Sequence, residues 1–501
     1  MKKRLLAGTL ALCLLLSGCG GFRDVYEDIF GGEPASSGEP QSQTSLLLPV
    51  DIDDSLGPYA AQSDMNLSIT SLLFDPLFVT DNTFTPQPCL AESITQAGTG
   101  EYLVTLRSDV TFSDGSALTA ADVVYSFEQT DLQQKRYWQL HTSVESVTEV
   151  DSRTVRVKAY RSDRNIAGLL DFPIVKNGSG TDSLIGTGRY IYQEQSGRRY
   201  LTASESNPGA SEKITEIELV SMPDDSTLAN ALRSGVIHCL YTDYAEEADY
   251  ALGANSYLFE LGNVVYIGYS SQNALTSQRQ FRTLVSEMVN RDSIVSDIYY
   301  NKATPALTPF PAEYYDLPEQ EHSDLGDDRI RMELELMGVT LEESGWRSYE
   351  DEPVNLSVLV NSENPFRVRV AETVVRYLGY YGIQAEVEAV EYESYLSRLA
   401  AGDFDLFIAE VCVGDNVDIS PLISGSSVGI SGDCSDAQLL EQYYAYCAGT
   451  LDCAGLLEQF DTYVPVTPLV YRQGGAVVSP SFQAKMTPIS QDIFYNIDEW
   501  Q

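Results

Sequence analysis

The sequence predicts an α/β protein, and the stretch from 353 to 413 carries that prediction. Residues 354–360 (Val-Asn-Leu-Ser-Val-Leu-Val) form an apolar, β-branched run of strand length. Val368, Ala371, Val375 and Leu378 then recur on one helical face, with Gly382 just beyond as a left-handed stop. Ile383, Ala385, Val387 and Ala389 alternate as a second strand. Tyr392, Tyr395, Leu396 and Leu399 mark a second helix, closed by Gly402, and residues 404–413 form a third strand interrupted by Asp405 and Glu410. This strand–helix–strand–helix–strand order predicts a mostly parallel sheet under covering helices.

Other elements are shorter. Residues 102–106 alternate as a strand, and Ser113-Asp114-Gly115 is a turn. Thr119 followed by Asp122 predicts a capping box for a helix whose apolar face holds Val123, Val124 and Phe127. Ser226 is expected to cap a helix carrying Leu228, Ala231 and Leu232, with Gly235 ending it. Residues 281–289 read as another amphipathic helix. The roughly 455 residues from position 45 onward exceed what one core usually holds, so two or more domains are expected.

The N-terminus reads as a targeting segment. Lys2, Lys3 and Arg4 precede an apolar run from Leu5 to Leu16, too short for an ordinary membrane span. Leu16-Ser17-Gly18-Cys19 resembles the lipobox of bacterial lipoproteins. Residues 1–18 are therefore expected to be a signal peptide, with Cys19 lipidated and residues 19–45 a Gly-, Ser-, Pro- and Gln-rich tether. The formal net charge is −42, which argues against nucleic-acid binding, a function that needs basic surface. Six cysteines lie beyond Cys19, without zinc-ligand spacing, and three histidines occur in all; neither a metal site nor a cofactor is expected. His-Glu-x-x-His is missing and the three histidines stand without a partner motif for a nucleophile–base pair, so an enzyme is not expected.

A series of short motifs, in order, resembles the family 5 extracellular solute-binding proteins, the group of dipeptide-, oligopeptide- and nickel-binding receptors. They are Leu73-Phe74-Asp75-Pro76-Leu77, Leu90-Ala91-Glu92-Ser93, Val110-Thr111-Phe112-Ser113-Asp114-Gly115, Leu118 through Ser126, Gly186-Thr187-Gly188-Arg189-Tyr190, Ala231-Leu232-Arg233-Ser234-Gly235, Tyr266-Ile267-Gly268-Tyr269, Asn290-Arg291 and Gly402-Asp403-Phe404-Asp405-Leu406. The resemblance implies a two-lobed clamshell of the class II, cluster C type. Lobe I would comprise 46–268 with 464–501, including an extra N-terminal subdomain at about 71–185. Lobe II would comprise 269–463. It further implies an extracytoplasmic receptor, monomeric and lipid-anchored, that passes a peptide-like solute to ABC permease subunits. A nickel chelate, another small solute, or a signal-sensing role on the same fold are the alternatives.

Departures from the family pattern cluster where the ligand would lie. Gly188-Arg189-Tyr190 stands for Gly-Pro-Tyr, Tyr269-Ser270 for Phe-Asn, Val411-Cys412 for Gly-Trp, and Asp418-Ile419 for Asp-Pro. Ligands of open α/β sheets sit beyond the carboxyl ends of strands, and the strand ending near Val413 runs into Gly414-Asp415-Asn416-Val417-Asp418. By similarity to the peptide-binding members, Asp415 is expected to hold a ligand ammonium. Asn416, Asp418 and Cys412 are further candidates. Tyr269, Ser270 and Ser271 are candidates at the expected crossover between lobes, and Arg189 reads as a surface ion-pair partner.

Overall fold

The computed structural model describes residues 45–133, 135–222, 227–246, 255–319, 325–424 and 437–500. The expected signal peptide, the tether up to residue 44, Cys19, the Ser226 cap and Cys434 lie outside these residues, while Ser45, expected as the tether's last residue, opens the strand Ser45–Val50.

The 353–413 unit forms as its pattern requires. Strand Asn355–Asn361 leads into helix Pro365–Tyr380, whose Asn364 cap accepts from the Arg367 amide. Strand Gln384–Val390, helix Tyr392–Ala401 and strand Leu406–Cys412 follow. Gly382 and Gly402 both take the left-handed conformation that ends a helix without steric cost. Asn355–Asn361 pairs in parallel with both other strands.

Beyond this unit the pairing changes. Leu406–Cys412 lies antiparallel to the long strand Ser256–Tyr269, which lies antiparallel to Val466–Val478. Among the described residues these join Cys239–Thr242 and Ala303–Pro305 in one seven-stranded sheet. The sheet is therefore mixed, because its two longest strands belong to a return path that the 353–413 pattern does not contain.

Side chains alternate across this sheet with a period of two. Val265, Ile267, Leu406, Ile408, Val358 and Val360 face one core, covered by helices Arg279–Met288 and Pro365–Tyr380. Val264, Tyr266, Phe407, Ala409 and Leu359 face the other, covered by Tyr392–Ala401, Ala437–Cys447 and Cys453–Tyr463.

A separate large core occupies the N-terminal body. It is built on a sheet ordered Ser45–Val50, Glu216–Ser221, Arg198–Ala203, Tyr190–Gln195 and on an antiparallel sheet ordered Ala91–Gly98, Glu101–Leu106, Thr154–Ala159, Val144–Asp151. Helix Ala120–Gln129 packs on the second sheet behind the Thr119–Asp122 capping box. The C-terminal segment returns to this body and buries Phe482, Phe494, Ile497 and Trp500 in its core.

The two long strands thus serve both halves. Phe259, Ala476 and Val478 pack in the N-terminal core, whereas Val265, Ile267, Tyr269, Leu469 and Val470 pack in the other body. The change falls at the irregularity between Glu260 and Val264, ahead of Tyr269. A bulge there bends the strand and re-aims its side chains.

Arg282 ties the second body together where the long strands end. Its guanidinium donates to the Val464, Tyr463, Ser277 and Thr276 carbonyls at 2.7, 2.7, 2.7 and 3.2 Å, and it is buried. Arg282→Met leaves those carbonyls without their donor. The expected outcome is a loss of about 3 kcal/mol in the unfolding free energy, read by urea denaturation.

Candidate functional site

A cavity of about 820 Å³ opens against the N-terminal body, and the loop after Leu406–Cys412 forms part of its wall. This loop is set by close backbone approach. The Val413 amide bonds the Gly262 carbonyl at 2.9 Å, and Gly414 adopts φ +66 with its Cα facing the Gln139 side chain. Gln139 Nε2 donates to the Cys412 carbonyl at 3.1 Å. Gly168 approaches the Asp415 carbonyl so closely that a Cβ there would lie 2.4 Å from its oxygen.

Of the residues expected at the site, Asp415 and Cys412 line the cavity. Burial pushes the Cys412 thiol up to about 11, so it stays a neutral, small wall residue. Asn416 turns away from the cavity. Its amide donates to Asp163 at 2.9 Å, and its carbonyl accepts from Asn165 at 3.1 Å. Asp418 accepts from the Ser420 amide at 2.9 Å and the Tyr443 hydroxyl at 2.8 Å, which caps the short helix Ser420–Ser424.

Tyr269, Ser270 and Ser271 are not brought to the cavity either. Tyr269 is buried with its hydroxyl 2.6 Å from Thr467. Ser270 is buried in the turn before Thr276, whose hydroxyl bonds its carbonyl at 2.7 Å, and Ser271 is exposed. They stand away because the strands pass between the two bodies earlier, near Glu260–Val264.

Arg189 is not at the surface. It is buried, ion-paired to Asp492, and donates to the Phe494 carbonyl at 2.6 Å and the Ser71 carbonyl at 3.1 Å. The pairing partner lies some 300 residues away in sequence, which hid it from local reading. Asp75 sits beside this pair, and burial pushes its carboxyl up to about 6 against the pull of Arg189.

The structure adds residues that motif reading missed. Asp171 lines the cavity, and its carboxyl lies within hydrogen-bonding reach of that of Asp415. Burial and the neighbouring Asp415 hold the Asp171 carboxyl well above the ordinary carboxylate range, with Arg136 pulling the other way. Burial also raises Asp415, opposed by hydrogen bonds from Gln491 and Asp171. Gln491 Nε2 donates to Asp171 at 3.2 Å. Tyr137 also lines the cavity; its hydroxyl is buried and finds no hydrogen-bond partner among the described residues. The available signal was a lone carboxylate, Asp171, inside the apolar run Gly168-Leu169-Leu170-Asp171-Phe172.

The cavity also presents three arginines. Arg107 is paired with Asp109 at 2.9 Å and Arg189 with Asp492. Arg136 lies over the Tyr137 ring at 5.4 Å and has no ion-pair partner among the described residues. This arrangement has charged groups of both signs, hydrogen-bond donors and aromatic surface. Such a set of groups is suited to holding and orienting a polar solute.

Residues 85–427 match the model of the bacterial extracellular solute-binding proteins, family 5, and the chain belongs to that family. It is similar to the oligopeptide-binding protein AppA of Bacillus subtilis, with 23% identity over 81% of this chain and 80% of the relative. Among solved structures it resembles the unliganded open form of MppA, a periplasmic murein tripeptide binding protein. There the TM-score is 0.73 with 15% identity, covering 88% of this chain and 94% of the other. NikA from Brucella suis, in complex with Fe(III)-EDTA, gives a TM-score of 0.66 with 20% identity over 91% and 99%. The fold is accordingly the two-lobed α/β clamshell of this family.

Gly168→Ala tests the close approach that sets the cavity wall. The added methyl drives the 412–418 loop outward, so amide hydrogen exchange across that loop is expected to rise over wild type.

Proposed function

We propose that this chain is the substrate-binding lipoprotein of an ABC importer, anchored outside the cytoplasmic membrane by a lipid on Cys19. It captures a peptide-like solute between two lobes and delivers it to the permease. Lobe I comprises the N-terminal body with the returning C-terminal segment, and lobe II comprises the body built on 353–413. Closure around the ligand presents the loaded form to the membrane partner.

The observation that carries the peptide reading is Asp415, a carboxyl in the cavity wall with no cation paired to it among the described residues. A carboxylate in a water-poor cleft gains most from a cationic partner with N–H donors, such as a peptide α-ammonium. The oligopeptide-binding relative and the murein tripeptide receptor support the same class. The likeness to NikA favours a second reading, an anionic metal chelate held by Arg136, whose guanidinium pairs with no carboxylate among the described residues.

The readings separate in a thermal-shift screen of the full chain against peptide pools, nickel chelates and sugars, since a ligand of the native state raises Tm by mass action. Peptides are expected to raise it, and Asp415→Ala to abolish that rise without lowering the ligand-free Tm. A rise with chelates alone, or an Asp415→Ala variant that binds peptides normally, removes the peptide anchor. For the lipid, Cys19→Ser is expected to release the protein from the membrane fraction; continued retention counts against the anchor.

A further inference from the structure

We propose that Asp171 is a second ligand-binding carboxylate, and that Asp171, Asp415 and the Tyr137 hydroxyl together accept a primary ammonium that displaces a proton shared by the two carboxyls. The inference rests on the peptide reading and deepens it. It names the recognised group and makes capture proton-linked.

The geometry leads there in steps. Two carboxyls face each other within hydrogen-bonding reach on the wall of one cavity. Neither forms an ion pair among the described residues. Two like charges so placed in a protein-lined cleft cannot both ionise cheaply, so the empty site keeps a proton between them. On the same cavity wall the Tyr137 hydroxyl is buried and has no hydrogen-bond partner among the described residues, a state proteins rarely leave unfilled. A primary ammonium carries three N–H donors. Asp171, Asp415 and Tyr137 Oη offer three acceptors. An acylated amine has lost the charge and two of the donors.

The other charged and titratable groups around the pair are few. Arg136 acts on Asp171 from the 133–139 segment, opposite the effect of Asp415. Tyr59 and Tyr137 lie on the Asp171 side, and burial holds both phenols protonated. Cys412 lies on the Asp415 side, also protonated. Gln491, from the C-terminal segment, is neutral and donates to Asp171. Asp75 lines the same cavity beside Arg189 and Asp492, and burial pushes its carboxyl up to about 6, so it and the carboxyl pair are the cavity groups that change charge between pH 5 and 8; Asp171→Asn removes the pair's share alone.

The sign follows from linkage. The empty folded protein holds a proton that its unfolded chain releases, so the pair's contribution to folding stability is present at low pH and fades as pH rises. Ligand binding runs the other way. The cation replaces the proton, one H⁺ leaves to solvent, and affinity rises with pH by up to about tenfold per unit until the pair is ionised.

The test uses the full chain and a pool of random di- to pentapeptides with free amino termini, compared with the same pool N-acetylated. Half-stabilising concentrations are read by thermal shift from pH 5 to 8. Up to about pH 7 the free pool is expected to bind more tightly as pH rises, and above that the rise levels off as the peptide's own α-ammonium loses its proton near pH 8; the acetylated pool is expected not to bind. Asp171→Asn should weaken the free pool at least tenfold at pH 7 and flatten the profile between pH 5 and 7, and Tyr137→Phe should weaken it less.

The ligand-free Asp171→Asn protein should melt higher than wild type at pH 8, since the unpaired carboxyl is gone. A ligand-free variant that melts lower at pH 8 overturns the proposal, and so does one that binds the free pool with the wild-type pH slope. In that last case Asp415 remains as the anchor alone. If no pool stabilises the wild type, the peptide reading itself has failed, and this inference with it.

Discussion

The antiparallel pairing of Ser256–Tyr269 with Val466–Val478 is the constraint on which the rest of the structure depends. The two strands stay hydrogen-bonded to each other while they leave one hydrophobic core and enter another. A backbone ladder costs little to maintain along its length, but each half of it must be buried on its own side-chain faces. The irregularity between Glu260 and Val264 lets the register and the facing change without breaking the pairing altogether. Two bodies joined in this way can move relative to each other only by bending at the strands, which is the mechanical requirement for a clamshell. Leu261 and Cys412, beside this bend, line the cavity. The bend between the two bodies thus lies on the wall of the same cavity.

Much of one body was legible because its contacts are local. In 353–413 each strand and helix packs on its sequence neighbour, so periodicity, capping residues and left-handed glycines agreed and were sufficient. The passage between the two bodies was harder. Tyr269-Ser270 reads as a plausible end of a strand, and it is one, but the change of core occurs earlier. Gly262 inside an otherwise strand-like run was the available sign, since an interior glycine often marks a bulge.

The candidate site divides along the same line. Asp415 was readable from the rule that sites gather at the ends of strands, and the structure puts it in the cavity wall. Asp418 and Asn416 share its loop but obey local chemistry, one as a helix cap and one as a tie to Asp163. Asp171, Tyr137 and Gln491 come from three other segments that no local pattern connects. Only the folded chain brings them beside Asp415. Sequence periodicity reports what a residue does for its own element, and these residues act between elements.

Arg189 shows how a departure from a family pattern can organise a site without touching its centre. A buried guanidinium is costly unless its charge and donors are all met. Asp492 meets the charge, and the Phe494, Tyr495 and Ser71 carbonyls meet the donors. Those bonds fix the 492–495 segment, and Gln491 is the next residue along. The Gln491 side chain is itself oriented from its far end. Its Oε1 accepts the Thr80 amide at 3.0 Å, so its Nε2 faces Asp171 as a donor rather than presenting an oxygen to a carboxyl. A donor at that point favours the ionised carboxylate, and an acceptor would oppose it. The arginine where the family places proline therefore bears on the charge state of the cavity wall through its bonds to the 492–495 segment, the adjoining Gln491, and that residue's hydrogen bond to Asp171.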